Sequence, residues 1–271
     1  MPEAKTLSNE NSAINANKAY KEPSVFLAEN LLREARRQKN IPQGQIPAVC
    51  VLDPDGDIVS YLVKNGLCSR NPFWACYHST LYDASFDGLD FGIIGCAVGA
   101  SYAVLLAEQM FVSGCKLLIS ITSAGAINAP KNDAKFILIE QALRDEGTSY
   151  HYLPAGHPAE LSQSLKERLQ RYFQSSQLMV ETGKSWTTDA PYRETQTAIE
   201  YAKTQNVTSV EMEAAALYAF ATVKQVNIIC YAHLTNTMAQ EGEDFEKGIE
   251  NGSIDSLQIV LATIKAVLLE I

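Results

Sequence analysis

Three short stretches of this chain combine polar groups and rings in ways that suit chemistry on a small organic molecule. Val210-Glu211-Met212-Glu213-Ala214-Ala215 puts two carboxylates two residues apart where a helix is expected to begin. A carboxylate there offers two acceptor oxygens to neighbouring donors; its plainest structural use is to complement the helix dipole. Thr122-Ser123-Ala124-Gly125-Ala126-Ile127 ends a predicted strand. Hydroxyls and exposed backbone N–H groups at a strand end suit an anion, and a tight turn without a ligand is the alternative. Trp186-Thr187-Thr188-Asp189-Ala190-Pro191-Tyr192-Arg193 supplies aromatic rings. Such a ring stacks on any flat heterocycle, or is simply half-buried.

Other patterns fail on spacing. Gly92, Gly95 and Gly99 follow a strand and precede a helix, but they do not form G-x-G-x-x-G, and no acidic residue ends a second strand about 20 residues on. Gly99-Ala100-Ser101-Tyr102-Ala103 lacks the second glycine of a nucleophile elbow, which argues against a serine hydrolase. The six cysteines include no C-x-x-C pair and read as reduced core residues. The four histidines are scattered, so no metal is expected, and with the dinucleotide spacing absent no organic cofactor is expected either.

The totals bound the class. A chain of 271 residues, 46% hydrophobic, can bury one large core. A net charge of −9 argues against nucleic acid, whose phosphates are held by clustered Lys and Arg. No apolar run reaches the roughly 18–20 residues of a membrane span, and residues 1–22 lack the profile of a secretion signal. A cytoplasmic protein acting on small molecules, with no membrane partner, is the expectation.

Elements must carry these stretches. Residues 1–22 are polar and read as a loose arm, with 23–271 as a single domain. Phe26, Leu27, Asn30, Leu31 and Ala35 recur at helical spacing. Residues 46–53, 58–63, 73–83 and 89–99 read as strands, 100–114 as a helix and 116–127 as an apolar strand. Strands are expected near 135–143, 177–186 and 226–234, and helices near 158–173, 193–205, 211–225 and 253–270. The alternation predicts a three-layer α/β/α fold around a mixed, mostly parallel sheet buried on both faces.

Together with a fourth segment at Asn236, the three stretches resemble the nucleoside phosphorylase family, which includes purine nucleoside phosphorylases, uridine phosphorylases and methylthioadenosine nucleosidases. The resemblance implies that Glu213 bridges the two ribose hydroxyls, with Met212 packing on the sugar. It implies that Thr122 and Ser123 contact phosphate, and that Trp186 and Tyr192 lie at the base site. Family members that cleave adenine nucleosides carry an Asp 23 residues beyond the ribose Glu; here that position is Asn236. An amide cannot deliver a proton but can donate to the departing base, which favours 6-oxopurines or pyrimidines. Arg144-Asp145-Glu146-Gly147-Thr148-Ser149 also looks like a stretch of some family members, with no role assigned.

The resemblance breaks at the acceptor. Where the family's phosphorylases place two phosphate-binding arginines, this chain has Asp57 and Ser120, and Leu52-Asp53-Pro54-Asp55-Gly56-Asp57 sets three carboxylates there. Like charges repel phosphate. Arg70, Lys64, Arg193 or an arginine from another subunit can substitute, or the segment is a hairpin turn facing water. The expectation is therefore phosphorolysis of a 6-oxopurine or pyrimidine nucleoside by a homo-oligomer (dimer, trimer or hexamer), with phosphate as co-substrate. The alternatives are a nucleosidase in which a carboxylate such as Asp57 orients water, or a non-catalytic nucleoside-binding protein.

Overall fold

The computed structural model describes residues 18–130, 132, 134–237 and 245–268. The expected arm at 1–22 falls largely outside them; of its last residues, Lys18 donates to the Tyr150 carbonyl at 3.0 Å. The first helix, α1 (Ala28–Lys39), buries Leu32 and Ala35, while Phe26 and Leu27 lie exposed ahead of it. There follow β1 (Val49–Asp53), α2 (Asp57–Lys64), β2 (Cys68–Arg70), β3 (Tyr82–Phe86), β4 (Leu89–Gly95), α3 (Ala100–Val112), β5 (Leu117–Ala126) and β6 (Phe136–Asp145). The chain continues through α4 (Ser149–Tyr152), β7 (Ala159–Glu160), α5 (Gln163–Ser175), β8 (Val180–Thr188), α6 (Gln196–Thr204), β9 (Val207–Glu211), α7 (Ala214–Lys224), β10 (Asn227–Asn236) and α8 (Ser253–Leu268).

The strands form one mixed sheet in the order β10-β6-β8-β9-β5-β1-β4-β3-β2, with β7 added on β6. The two longest ladders, β5·β10 and β6·β8, are parallel; β10·β6, β5·β9 and the β2–β3–β4 meander are antiparallel. Because β10 pairs with β5 as well as β6, the strands β5, β9, β8, β6 and β10 close on themselves. All five residues of β1 are buried, as a strand covered on both faces requires. The helices in mutual contact fall into two groups, α1, α3, α4 and α7 against α2, α5 and α8, as helices on two faces of a sheet do. Among the described residues no helix is long and apolar enough to cross a membrane.

Three longer segments depart from the sequence reading, beside the short elements β2, α4 and β7, which were not anticipated. Residues 58–63, expected as a strand, form α2, because Ile58 and Leu62, four apart, are the buried pair and the Asp53 carboxylate accepts the Val59 N–H near its start. A run of six residues, five of them apolar, satisfies either period, and the left-handed Gly56 (φ 83°) turns the chain into the helix. Most of 73–83 is irregular rather than strand, with Asn71 accepting the Phe73 N–H to make a local turn. Strand β9, which carries Glu211, was not anticipated; four of its five residues are buried in a run too short to show a period.

The Arg144 stretch gains a role from its contacts. The guanidinium donates to Ser149 Oγ and to the carbonyls of Leu153, Pro154 and His157 at 2.7–2.9 Å, and lies 4.2 Å from the centre of the Tyr150 ring. This one side chain ties the loop after β6 together. Arg144→Lys should cost about 2 kcal/mol in urea unfolding, because an ammonium cannot serve four acceptors laid out for a planar fork. A lysine variant as stable as the parent would refute that role.

Candidate active site

The residues that bear chemistry gather where β1, β5, β9 and β10 end. Beyond β1 the buried Asp53 carboxylate accepts the N–H groups of Gly56 at 3.1 Å and Val59 at 2.9 Å, fixing the turn. Burial pushes its pKa up to about 7 and the charges of Asp55 and Asp57 add to this, while the two N–H groups oppose it. A side chain at Gly56 would meet Cys96 Sγ at 2.7 Å, so the turn is packed as well as left-handed.

This turn delivers Asp55 to the end of β5. Asp55 Oδ2 accepts both the backbone N–H of Ser123, at 2.8 Å, and its hydroxyl, at 2.6 Å. The donors expected to meet an anion are thus engaged by the chain's own carboxylate. Lys247 Nζ lies 3.5 Å from Asp55 and 2.6 Å from Asp57, and Asn251 donates to Asp57 at 3.1 Å. Burial works against the Lys247 charge, but the Asp57 hydrogen bond and the two carboxylates hold its pKa above the ordinary value. None of Lys64, Arg70 and Arg193, the cations of this chain named from sequence, takes this place. Lys64 pairs with Glu250, Arg70 faces Thr80, and Arg193 sits in the turn after β8.

His233 of β10 stands opposite Ser123 in the ladder, its ring stacked on Phe136 with centroids 4.5 Å apart. Burial lowers its pKa to about 4, so the imidazole is neutral at physiological pH. A cavity of about 10 Å³, sized for one water, is lined by Asp53, Asp55, Asp57, Thr122, Ser123 and His233. A larger cavity of about 670 Å³ opens around Lys166, Lys184 and Asn227, at the opposite end of β10. Volume alone favours the second; the converging titratable groups favour the first.

Glu213 occupies the N-cap position of α7 and is 1% exposed. Its Oε1 accepts the Gly99 N–H at 2.7 Å, and its buried Oε2 has no hydrogen-bond partner. Gly99 presents that N–H from a left-handed φ of 94°, a conformation that side chains resist. Burial, joined by the charges of Glu211 and Asp55, pushes the Glu213 pKa well above the carboxylate range, although the Gly99 N–H and the nearby Thr122 hydroxyl favour the charged form. Met212 beside it is half-buried.

Glu211 holds this corner in place. Its Oε1 accepts the hydroxyls of Ser185 at 3.1 Å and Thr187 at 2.5 Å; its Oε2 accepts the N–H groups of Glu213 at 2.8 Å and Ala214 at 2.7 Å. Thr187 Oγ1 in turn accepts the Ala215 N–H at 2.9 Å. Sequence reasoning gave Glu211 no part, although its position in Val210–Ala215 was on view.

The remaining expected residues divide. Asn236 ends β10 opposite Gly125 of β5, near Ser123, and its amide donates to Thr235 Oγ1 at 3.2 Å. Trp186 lies on the face of β8 away from Ser185, Thr187 and Glu211. Its ring is enclosed with Ile127, Ile199, Ala202, Val207 and Val210, and its N–H donates to Asp145 at 2.9 Å. Tyr192 is 99% exposed, in the short turn Pro191–Arg193 that follows β8. Thr122, Ser123, Glu213 and Asn236 therefore share one end of the sheet and Asp57 borders it through Lys247, while Trp186 packs in its own apolar cluster and Tyr192 lies exposed.

Comparison with known proteins agrees with this architecture. The family model described as Phosphorylase superfamily matches residues 68–265. A guanosine phosphorylase of Halorubrum lacusprofundi is 24% identical over 223 residues, covering 80% of this chain and 91% of its own. A uridine phosphorylase of Thermococcus kodakarensis is 22% identical, covering 69% and 78%. Among solved structures, Toxoplasma gondii purine nucleoside phosphorylase in complex with immucillin-H superposes with a TM-score of 0.67 at 16% identity, covering 83% of this chain and 90% of that one. Vibrio fischeri uridine phosphorylase does so with a TM-score of 0.64 at 21% identity, covering 85% and 96%. With more than half its length matched by that family model, the chain belongs to the phosphorylase superfamily.

Proposed function

We propose that the protein cleaves the N-glycosidic bond of a nucleoside, with Glu213 holding the two ribose hydroxyls and phosphate as the acceptor. The observation that carries this reading is the buried Glu213 oxygen without a partner, beside an anion-donor turn in a chain of this family. The glycosidic C–N bond breaks with its electron pair remaining on the base. Positive charge then develops on the sugar, and a carboxylate gripping its hydroxyls stabilises it. An acceptor oxygen bonds to the anomeric carbon, and the departed base takes a proton from solvent. Met212 packs on the sugar, and the Asn236 amide donates to the base, suiting a 6-oxopurine or pyrimidine rather than adenine. Tyr192, the exposed ring, is free to cover the base, whereas the Trp186 ring is enclosed and its N–H is taken by Asp145. The relatives named for guanosine and uridine agree with this choice.

One observation favours water as the acceptor instead. Asp55 already takes the N–H and hydroxyl of Ser123, and the cavity beside it admits a single water. Base release from guanosine, inosine, uridine and adenosine, with and without phosphate, separates the readings. Phosphorolysis requires release that rises with phosphate and favours guanosine, inosine or uridine over adenosine by at least about tenfold. Release indifferent to phosphate selects hydrolysis. Nucleoside binding in calorimetry without base release under either condition would leave a binding protein and defeat both.

A further inference from the structure

Two glutamates, Glu211 and Glu213, are buried side by side at the start of α7, and their partners are unequal. Four donors converge on Glu211, two hydroxyls on one oxygen and two backbone N–H groups on the other. Glu213 receives the Gly99 N–H on Oε1 and has the Thr122 hydroxyl nearby, while its Oε2 has no hydrogen-bond partner. Among the described residues, the titratable groups that bear on Glu213 are Glu211 from β9, Asp55 from the turn after β1 and Cys230 from β10, and none of these is a cation. Two adjacent buried carboxylates without a counter-ion do not both stay ionised, and the better-solvated one keeps the charge.

We propose that Glu211 and Glu213 share one negative charge in the unliganded protein, with the proton on Glu213, and that Glu211 is a positioning residue whose charge makes sugar binding release that proton. This rests on the reading of Glu213 as the ligand of the ribose hydroxyls. Its direct support is the asymmetry of donors, and the upward shift of the Glu213 pKa by burial and by the Glu211 charge points the same way. The chemistry of a diol then couples binding to ionisation. Two hydroxyls that both donate require two acceptor oxygens, which a carboxylate offers and a neutral carboxyl does not. Glu211 meanwhile holds the Glu213 and Ala214 N–H groups, fixing the backbone from which Glu213 projects.

Infrared difference titration of the unliganded protein tests the shared proton without any substrate. A protonated-carboxyl band should persist at about pH 7, shrink in Glu213→Gln to the share carried by the buried Asp53, and have its Glu213 part titrate at least about one pH unit lower in Glu211→Gln. Calorimetry of guanosine and uridine in two buffers of different ionisation enthalpy should show proton release on binding. The dissociation constant should fall up to about tenfold per unit of rising pH below the midpoint, and that midpoint should move down in Glu211→Gln. A purely structural Glu211 would weaken binding and leave the midpoint in place, which overturns the proposal. So would a band absent at neutral pH, or one undiminished in Glu213→Gln. Wild type and Glu213→Gln decide the point even if Glu211→Gln fails to fold. If no nucleoside binds, the reading of the sugar site fails, while the infrared titration still decides where the proton is.

Discussion

Glu213→Gln should lower kcat/KM for nucleoside cleavage by about two orders of magnitude while leaving the protein as stable as before, or more so. The glutamine keeps an oxygen for the Gly99 N–H, so the local backbone survives. What is lost is the charge facing a sugar that becomes cationic, together with one of two acceptors, a change worth roughly 2–3 kcal/mol in the transition state. Stability moves the other way, because the folded protein holds a proton on Glu213 that the unfolded chain gives up at the ordinary carboxylate pKa. Between about pH 5 and 8 the unfolded state binds fewer protons at this site, so the parent loses stability as pH rises. The variant should flatten that decline in denaturant titrations across the same range. Unchanged kinetics would remove Glu213 from the site.

Asp55→Ala should tighten phosphate binding at least about tenfold. In the parent, phosphate must displace a carboxylate that holds both Ser123 donors, and it must approach with like charge. Two charges about 4 Å apart repel by roughly 4 kcal/mol at an effective dielectric of about 20, so a tenfold gain, near 1.4 kcal/mol, is a conservative expectation. The substitution also frees Lys247 from one of its two carboxylates. Calorimetric titration of phosphate into both proteins measures this directly, whichever acceptor the parent uses. Equal affinities would show that Asp55 does not guard the turn.

The sequence announced the long elements because their patterns admit one reading. The apolar run of β5 and the small-residue helix α3 are where they were expected, as is β10. Short runs misled: Ile58 to Val63 fits a strand or a helix by period, and only the Asp53 carboxylate and the left-handed Gly56 decide for the helix. The candidate site was legible where its residues are neighbours in sequence, as in Thr122-Ser123 and Met212-Glu213. It was not legible where the partner comes from far along the chain. Lys247 reaches Asp57 across 190 positions from a stretch that carries no motif. Trp186 shows the opposite failure, since a ring beside polar residues in sequence turns to the other face of its strand when the strand forms.

Strand β10 enters between β5 and β6, which precede it by some eighty to a hundred residues. Until it arrives, both strands present open, apolar hydrogen-bonding edges, the kind that invite pairing with a stranger. During synthesis the N-terminal part waits in that condition while the rest is made. The same arrival sets His233 beside Ser123 and carries Asn236 to Gly125. Closing the seam against misassociation and furnishing the cleft are thus a single late event, so a nascent chain has no half-built pocket to offer before its edges are sealed.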